Sequence, residues 1–471
     1  MVFSNLVFLS IFMPVFFGVY YLLRTRTQRN IALLVASLVF YAWGEPVYII
    51  LILCSIIFNY NMARAVEKYQ SKLLLIIDVV VNLLVIGVFK YADFFGSIFA
   101  GIFGLKFTTF GIGLPIGISF FTFQIISYVI DVYHKKVAAQ KNILFLGAYI
   151  TGFTHLVAGP IVRYETIAYE LEHRVENMTD FSNGLRRFCA GLAKKVLIAN
   201  NMGALCDSLV AQYYAAGAAG TPSGAGALGA WLIVISYTLQ IYFDFSAYSD
   251  MAIGMGRMMG FHYLENFDYP YISRSITEFW RRWHMSLSSW FRDYVYIPLG
   301  GNRVKTPRYI FNILVVWALT GLWHGASWNF VLWGAYYGIL LLLEKFFLGK
   351  ALEKIPALGH IYTLLIVMCG WVIFRASSLP MAGQLFKSMV GGYGAGSLRT
   401  LVNSNILTIP ALVFMAAGIV LSMPLSRLLK KKLENVKFGK LAIDAGAVAG
   451  VVVSYCFLLN GSYNPFIYFR F

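Results

Sequence analysis

Between Arg308 and Glu344 the chain carries no Asp, Glu, Lys or Arg, yet His324 sits near the middle of that run. A titratable group at the centre of an apolar, membrane-length segment is costly, and such residues are candidates for function by default. A buried imidazole there is expected to be neutral. In that state it can take a proton from a hydroxyl and act as a general base. The competing account is a structural histidine whose ring nitrogens are hydrogen-bonded. Gly321 and Gly325 interrupt the run beside it, and Arg308 and Lys345 flank it with positive charge. His324 is therefore expected at the bend of a hairpin, deep in the membrane or towards its outer face.

Upstream lies a basic and aromatic stretch around EFWRRWHMSLSSWFRDY. Read as one helix over 280–294, it places Trp280, Trp283, His284, Leu287, Phe291 and Tyr294 on a continuous face. Arg281, Arg282, Ser288 and Arg292 fall mainly off that face. His284 should then pack inward, leaving Arg281 and Arg282 at lipid headgroups or at the rim of a polar funnel. An interfacial amphipathic helix with a core histidine explains the same pattern. Glu278 and Arg282 stand at i,i+4, the favourable order for a helix ion pair. In IYFDFSAYSD, Asp244 and Asp250 are carboxylates at the end of an apolar run. They could orient a histidine, receive an arginine, or cap a helix with Ser246 and Ser249. His155, just before Gly159-Pro160, is a further polar candidate. No P-loop, zinc motif or serine nucleophile elbow occurs.

The elements that must position these residues follow from composition. Of 471 residues, 59% are hydrophobic and 13% charged, half the charge of a typical soluble domain. Mean hydropathy is +0.69. Repeated apolar runs of about 20 residues are long enough to cross a bilayer as helices. The net charge of +17 sits in short loops between those runs, the positive-inside pattern, and points to anionic lipid rather than nucleic acid. Cys54, Cys189, Cys206, Cys369 and Cys456 have no metal-ligand spacing. The N-terminal stretch reads as a retained span, because positive charge follows its apolar run.

Lys/Arg placement sets the expected path. Arg24, Arg26 and Arg29 lie inside and the N-terminus outside. Residues 30–64 form a hairpin broken at Trp43-Gly44-Glu45-Pro46. The next run breaks at 90–93, and the one over 144–162 ends at Gly159-Pro160. Lys194 and Lys195 mark a cytoplasmic helix end. Residues 215–228 form an outer loop, 231–245 span inwards, and 345–354 return as a cytoplasmic loop. The basic cluster 427–440 is the strongest cytoplasmic marker, and Phe471 ends outside. The expectation is about eleven crossings of apolar helices, forming one membrane domain over 1–471.

The segments RSITEFWRRWHMSLSSWFRDYVYIPLGGNR and LTGLWHGASWNFVLWG resemble the membrane-bound O-acyltransferase (MBOAT) family, as do FYAWGEP, LVAGPIVRYE and IYFDFSAYSDMAIG. The resemblance covers essentially the whole chain. It is stronger to the bacterial branch that O-acetylates alginate and peptidoglycan than to the D-alanyl transferases. It implies an all-α polytopic membrane fold, with tilted helices around a thin centre and a tunnel. It also implies acyl transfer from a cytoplasmic thioester, acetyl-CoA in this branch, to a hydroxyl. His324 matches the catalytic histidine and His284 the second active-site position. Arg281, Arg282, Trp323, Asp244 and Asp250 are the expected substrate-binding surroundings. The implied partners are a secreted or membrane-anchored acetyltransferase and a polysaccharide acceptor at the cell membrane. No bound cofactor and no metal are expected. The alternatives are D-alanyl transfer from a carrier protein, or a transporter with a histidine proton relay. The paired repeats usual in transporters are not visible.

Overall fold

The computed structural model describes residues 1–213, 226–461 and 463–467. Among them every regular element is a helix. Six helices are long and apolar enough to cross a membrane: Ile49–Tyr69, Lys72–Ile102, Gly226–Met258, Trp328–Lys354, Pro356–Arg375 and Gly439–Leu459. A seventh is reached if Ile409–Leu421 is counted with the basic helix Leu425–Glu434, bent from it by 71°. The expected number is higher because several apolar runs form shorter helices. Ile118–Tyr133 has 16 residues, about 24 Å at 1.5 Å per residue, short of a ~30 Å hydrocarbon layer.

The chain divides into two compact units. The first comprises Met1–Phe188 and Tyr248–Glu265. Its hairpin breaks where expected, between helices Arg26–Ala42 and Ile49–Tyr69. A reciprocal capping box between Thr25 and Gln28 starts the first of them. The break expected at 90–93 is absent, since Lys72–Ile102 runs through a π-helical turn at Gly87–Tyr91. Conversely, the run over 144–162 breaks early. Helix Ile143–Thr151 stops at Gly152, and a single turn, Phe153–Leu156, follows. Glu176 gathers the ends of this unit. It accepts from Tyr20 at 2.9 Å and pairs with Arg29 at 2.6 Å and with Arg26. Arg174 beside it donates to Asn30 at 2.6 Å.

The second unit comprises Cys189–Ala247 and Asn266–Phe471, in its described residues. Helices Thr306–His324 and Trp328–Leu343 form the expected hairpin, turning at 325–327. They touch backbone to backbone. A Cβ on Gly321 would lie 2.3 Å from the Phe330 carbonyl oxygen, and one on Gly334 would lie 2.4 Å from that of Trp317. The segment expected as a loop at 345–354 continues as helix, so that Trp328–Lys354 is one span. Likewise the inward span over 231–245 is part of a longer helix, Gly226–Met258. Lys195 does not mark a solvated helix end. It is buried and pairs with Asp244 at 2.7 Å. The segment 463–467 closes over this pair, with Lys195 donating to the Pro465 carbonyl and Ile467 N–H donating to Asp244 at 2.8 Å. Most of the expected outer loop 215–228, and the terminal Phe471, lie outside the described residues.

Candidate active site

His324 is the last residue of helix Thr306–His324 and is 5% exposed. Aromatic rings wall it edge-on. Trp323 and Trp333 have centroids 4.9 Å away at 78° and 80°, and Phe374 lies 5.3 Å away at 78°. Trp333 and Phe374 come from the other hairpin helix and from Pro356–Arg375, so three helices build the box. Hairpin closure at Gly321 and Gly334 brings Trp333 to the histidine. What these two glycines provide is the close approach of one helix backbone to the other.

His284 is not on a continuous helix, which corrects the reading of 280–294 as one element. Helix Ile276–Arg282 ends, Trp283 is extended, and His284 adopts φ +45°, ψ +52° before helix Met285–Phe291 begins. A non-glycine residue in this region is strained by about 1–3 kcal/mol and is held only by its surroundings. Here the holding element is the loop 266–268. Asp268 N–H donates to the Arg282 carbonyl at 2.9 Å, and Met285 N–H donates to the Asn266 carbonyl at 3.0 Å. The backbone groups freed by the break are thus satisfied by a second strand of chain. Periodicity cannot report such a break, because the aromatic spacing is the same on either side of it.

The inward placement of His284 does hold, at 1% exposure. Its Nδ1 lies 3.2 Å from Asn266 Oδ1. Phe245 meets the ring edge-on at 4.6 Å, and Trp323 lies 5.8 Å away. Trp323 therefore stands between the two histidines, touching both. This basic segment lies between the long helix Gly226–Met258 and the hairpin. Burial pushes the His284 imidazole down to about 3, so it is neutral at physiological pH.

The arginines divide. Arg281 is exposed. Arg282 forms the expected i,i+4 pair with Glu278 at 3.0 Å and also reaches Asp268 at 3.1 Å. Arg427, from the basic helix Leu425–Glu434, pairs with the same Asp268 at 2.8 Å. Asp244 faces Lys195, as described. Asp250 belongs to the first unit, where Arg187 reaches it at 2.9 Å. Of the roles open to that carboxylate, receiving an arginine is the one its geometry supplies. Glu265 and Asp250 together hold the Arg187 guanidinium firmly charged against the burial that opposes it. His155 is satisfied at both nitrogens, by the Tyr149 carbonyl at 2.8 Å and the Thr154 hydroxyl at 3.2 Å. That is the arrangement of a structural histidine.

Two neighbours of the site escape sequence reading. Asn266 lies in the irregular loop before the basic segment, where no period marks it. Glu344, the first charge after the apolar run, is 4% exposed. It accepts from the Ile276 and Thr277 N–H groups, the latter at 2.9 Å, and from the Thr277 hydroxyl at 2.8 Å. A carboxylate at a helix N-terminus is favourable. It ties the far end of the His324 hairpin to the start of the His284 segment. Among the described residues no group of His, Cys, Asp and Glu has the geometry to hold a metal ion.

The class of this helical membrane protein is given by its relatives. The profile of the membrane-bound O-acyltransferase family matches residues 137–379, which include both histidines. The chain belongs to this family and is an O-acyltransferase. It is 43% identical to the "Probable alginate O-acetylase AlgI" of Pseudomonas aeruginosa, over 90% of this chain and 81% of that protein. Identity to the protein of the same name from Azotobacter vinelandii is 40%, over the full length of both. The "Peptidoglycan O-acetyltransferase" of Helicobacter pylori is 33% identical over 83% of this chain and 80% of its own length.

Proposed function

We propose that this protein carries an acetyl group from a cytoplasmic thioester, acetyl-CoA, across the cell membrane for O-acetylation of a cell-envelope or extracellular polysaccharide. The observation that carries the proposal is the buried His324 in its aromatic box, within a chain that matches over its full length a relative named "Probable alginate O-acetylase AlgI". In this reading 1–471 works as one membrane domain, with both termini outside. His324 takes the proton of the attacking hydroxyl. The hydroxyl oxygen forms its bond to the thioester carbonyl carbon, the C–S bond breaks, and the proton passes to the leaving thiolate. A thioester is already activated, so positioning and a base supply most of what the reaction needs. Exposed Arg281 suits the anionic donor. Arg282 holds the rim through Glu278 and Asp268, and Trp323 separates the two histidines. Asp244 and Asp250 shape the surroundings through their ion pairs. The acceptor chain, together with a secreted or membrane-anchored acetyltransferase, receives the group outside.

The test is acetyl transfer or acetyl-CoA turnover by the purified protein. His324→Gln keeps volume and a hydrogen bond but cannot serve as base. It should fold, insert and bind acetyl-CoA while turnover falls about 10²–10⁴-fold. Wild-type turnover in a well-folded His324→Gln protein would end the general-base reading. Activity with a D-alanyl carrier thioester and none with acetyl-CoA would end the choice of acyl group. Turnover of neither would favour transport.

A further inference from the structure

We propose that Asn266 is a positioning residue that holds His284 as the Nδ1–H tautomer, so that its Nε2 is a buried acceptor for a hydrogen-bond donor of the bound substrates. The inference rests on the acyl-transfer reading for its substrates, but not for the tautomer.

Three polar atoms converge on one atom of Asn266. The Ser286 backbone N–H lies 3.2 Å from it and the Ser286 hydroxyl 2.9 Å, while His284 Nδ1 lies 3.2 Å away. A backbone N–H can only donate, so the atom facing it is the amide oxygen and not the amide nitrogen. The Ser286 hydroxyl is 3.5 Å from His284 Nδ1, much farther than from that oxygen, so its proton goes to Asn266. An unprotonated Nδ1 would then set two acceptors against each other. Nδ1 therefore carries the hydrogen, and Nε2 carries the lone pair.

Nε2 is fully buried and meets no hydrogen-bond partner among the described residues. Its ring is bounded by Phe245 and by Trp323, which also touches His324. A buried acceptor left without a protein partner calls for a donor from outside the chain. The complementary group is an N–H or O–H. The acceptor hydroxyl carries one, and so does the amide chain of a coenzyme A thioester. The strained φ of His284 and its two backbone clamps aim the ring, and Asn266 sets which nitrogen is bare.

The experiment compares Asn266→Asp with the wild type in two measurements. The carboxylate keeps an acceptor for Ser286 and His284, so the protein should still fold, with Tm lowered by the cost of a buried charge. However, once the Asp–His pair takes up one proton, Nε2 is protonated whether the charge rests as imidazolium with carboxylate or as neutral acid donating to Nδ1. The acid limb of kcat/KM should therefore move up by one pH unit or more, with activity returning as pH rises. A raised KM for acetyl-CoA would assign the donor's amide, and a lowered kcat at unchanged KM the acceptor hydroxyl. A normally folded Asn266→Asp protein with the wild-type pH profile would overturn the proposal. The second measurement needs no activity. In ¹⁵N-histidine-labelled protein, with His284 assigned by loss of its signal in His284→Gln, Nε2 should be unprotonated in the wild type at neutral pH, and in Asn266→Asp it should become protonated as pH falls through the shifted acid limb. A protonated Nε2 in the wild type overturns the proposal. An unprotonated one in a protein that transfers no acyl group upholds the tautomer and defeats the acyltransfer reading.

Discussion

Lys195 and Asp244 set opposite charges 2.7 Å apart with almost no exposure, and such a pair is expensive to half-dismantle. Lys195→Met should destabilise the protein by about 3–5 kcal/mol, because Asp244 is left buried without its cation. The double replacement Lys195→Met with Asp244→Leu should recover most of that loss. Thermal unfolding of both variants beside the wild type in detergent checks both statements. A single Lys195→Met with the wild-type Tm would remove the pair from the account of stability. Sequence reading finds the histidines because a titratable group in an apolar run is conspicuous by type alone. It misplaces Lys195, since a lysine near the start of an apolar run looks the same whether it faces headgroups or a carboxylate from another helix. Asn266 is invisible for a related reason. Its role depends on contacts to residues 18 and 20 positions away across a backbone break.

At the scale of elements, the hairpin depends on glycine more than on its apolar side chains. Gly321→Ala should push the helices apart, as its Cβ meets the Phe330 backbone and not a movable side chain. Overpacking of this kind costs about 1–3 kcal/mol, and the displaced Trp333 should lower acyl transfer as well. Gly383 is the control, because a Cβ added there would meet nothing within 4 Å. There alanine should be neutral or stabilising by about 0.4–1 kcal/mol. Equal melting temperatures for Gly321→Ala and Gly383→Ala would contradict the close approach. Hydropathy and glycine placement are enough to predict this hairpin and its bend at 325–327. They are not enough for 283–284. There the helix yields to a loop whose backbone bonds come from elsewhere in the chain, and no local pattern encodes that competition.

For the molecule as a whole, the charges from which topology is expected also carry cohesion. Arg26 and Arg29 are loop cations by sequence, yet they converge on Glu176. Burial alone would raise the Glu176 carboxyl. Hydrogen bonds from Arg26 and Tyr20 outweigh it and hold the group below the usual carboxylate range. A depressed folded-state pKa means stability that is present at neutral pH and lost as pH falls through that range. Glu176→Gln should therefore melt lower than wild type at pH 7, with the gap closing as pH falls through and below the carboxylate range. A gap that stays constant throughout that descent would refute it. The membrane class is legible from composition, because a 13% charged chain has few other solutions. The number of crossings is not, because an apolar run does not announce whether its helix will be long enough to span. The clasp over Lys195 and Asp244 also bears on biosynthesis. Ile467 is translated 223 residues after Asp244, about 10–45 s later at 5–20 residues per second. During that interval the ion pair is held without its outer backbone partners. The last backbone bonds to this charge pair are therefore among the last that synthesis of the second unit can supply.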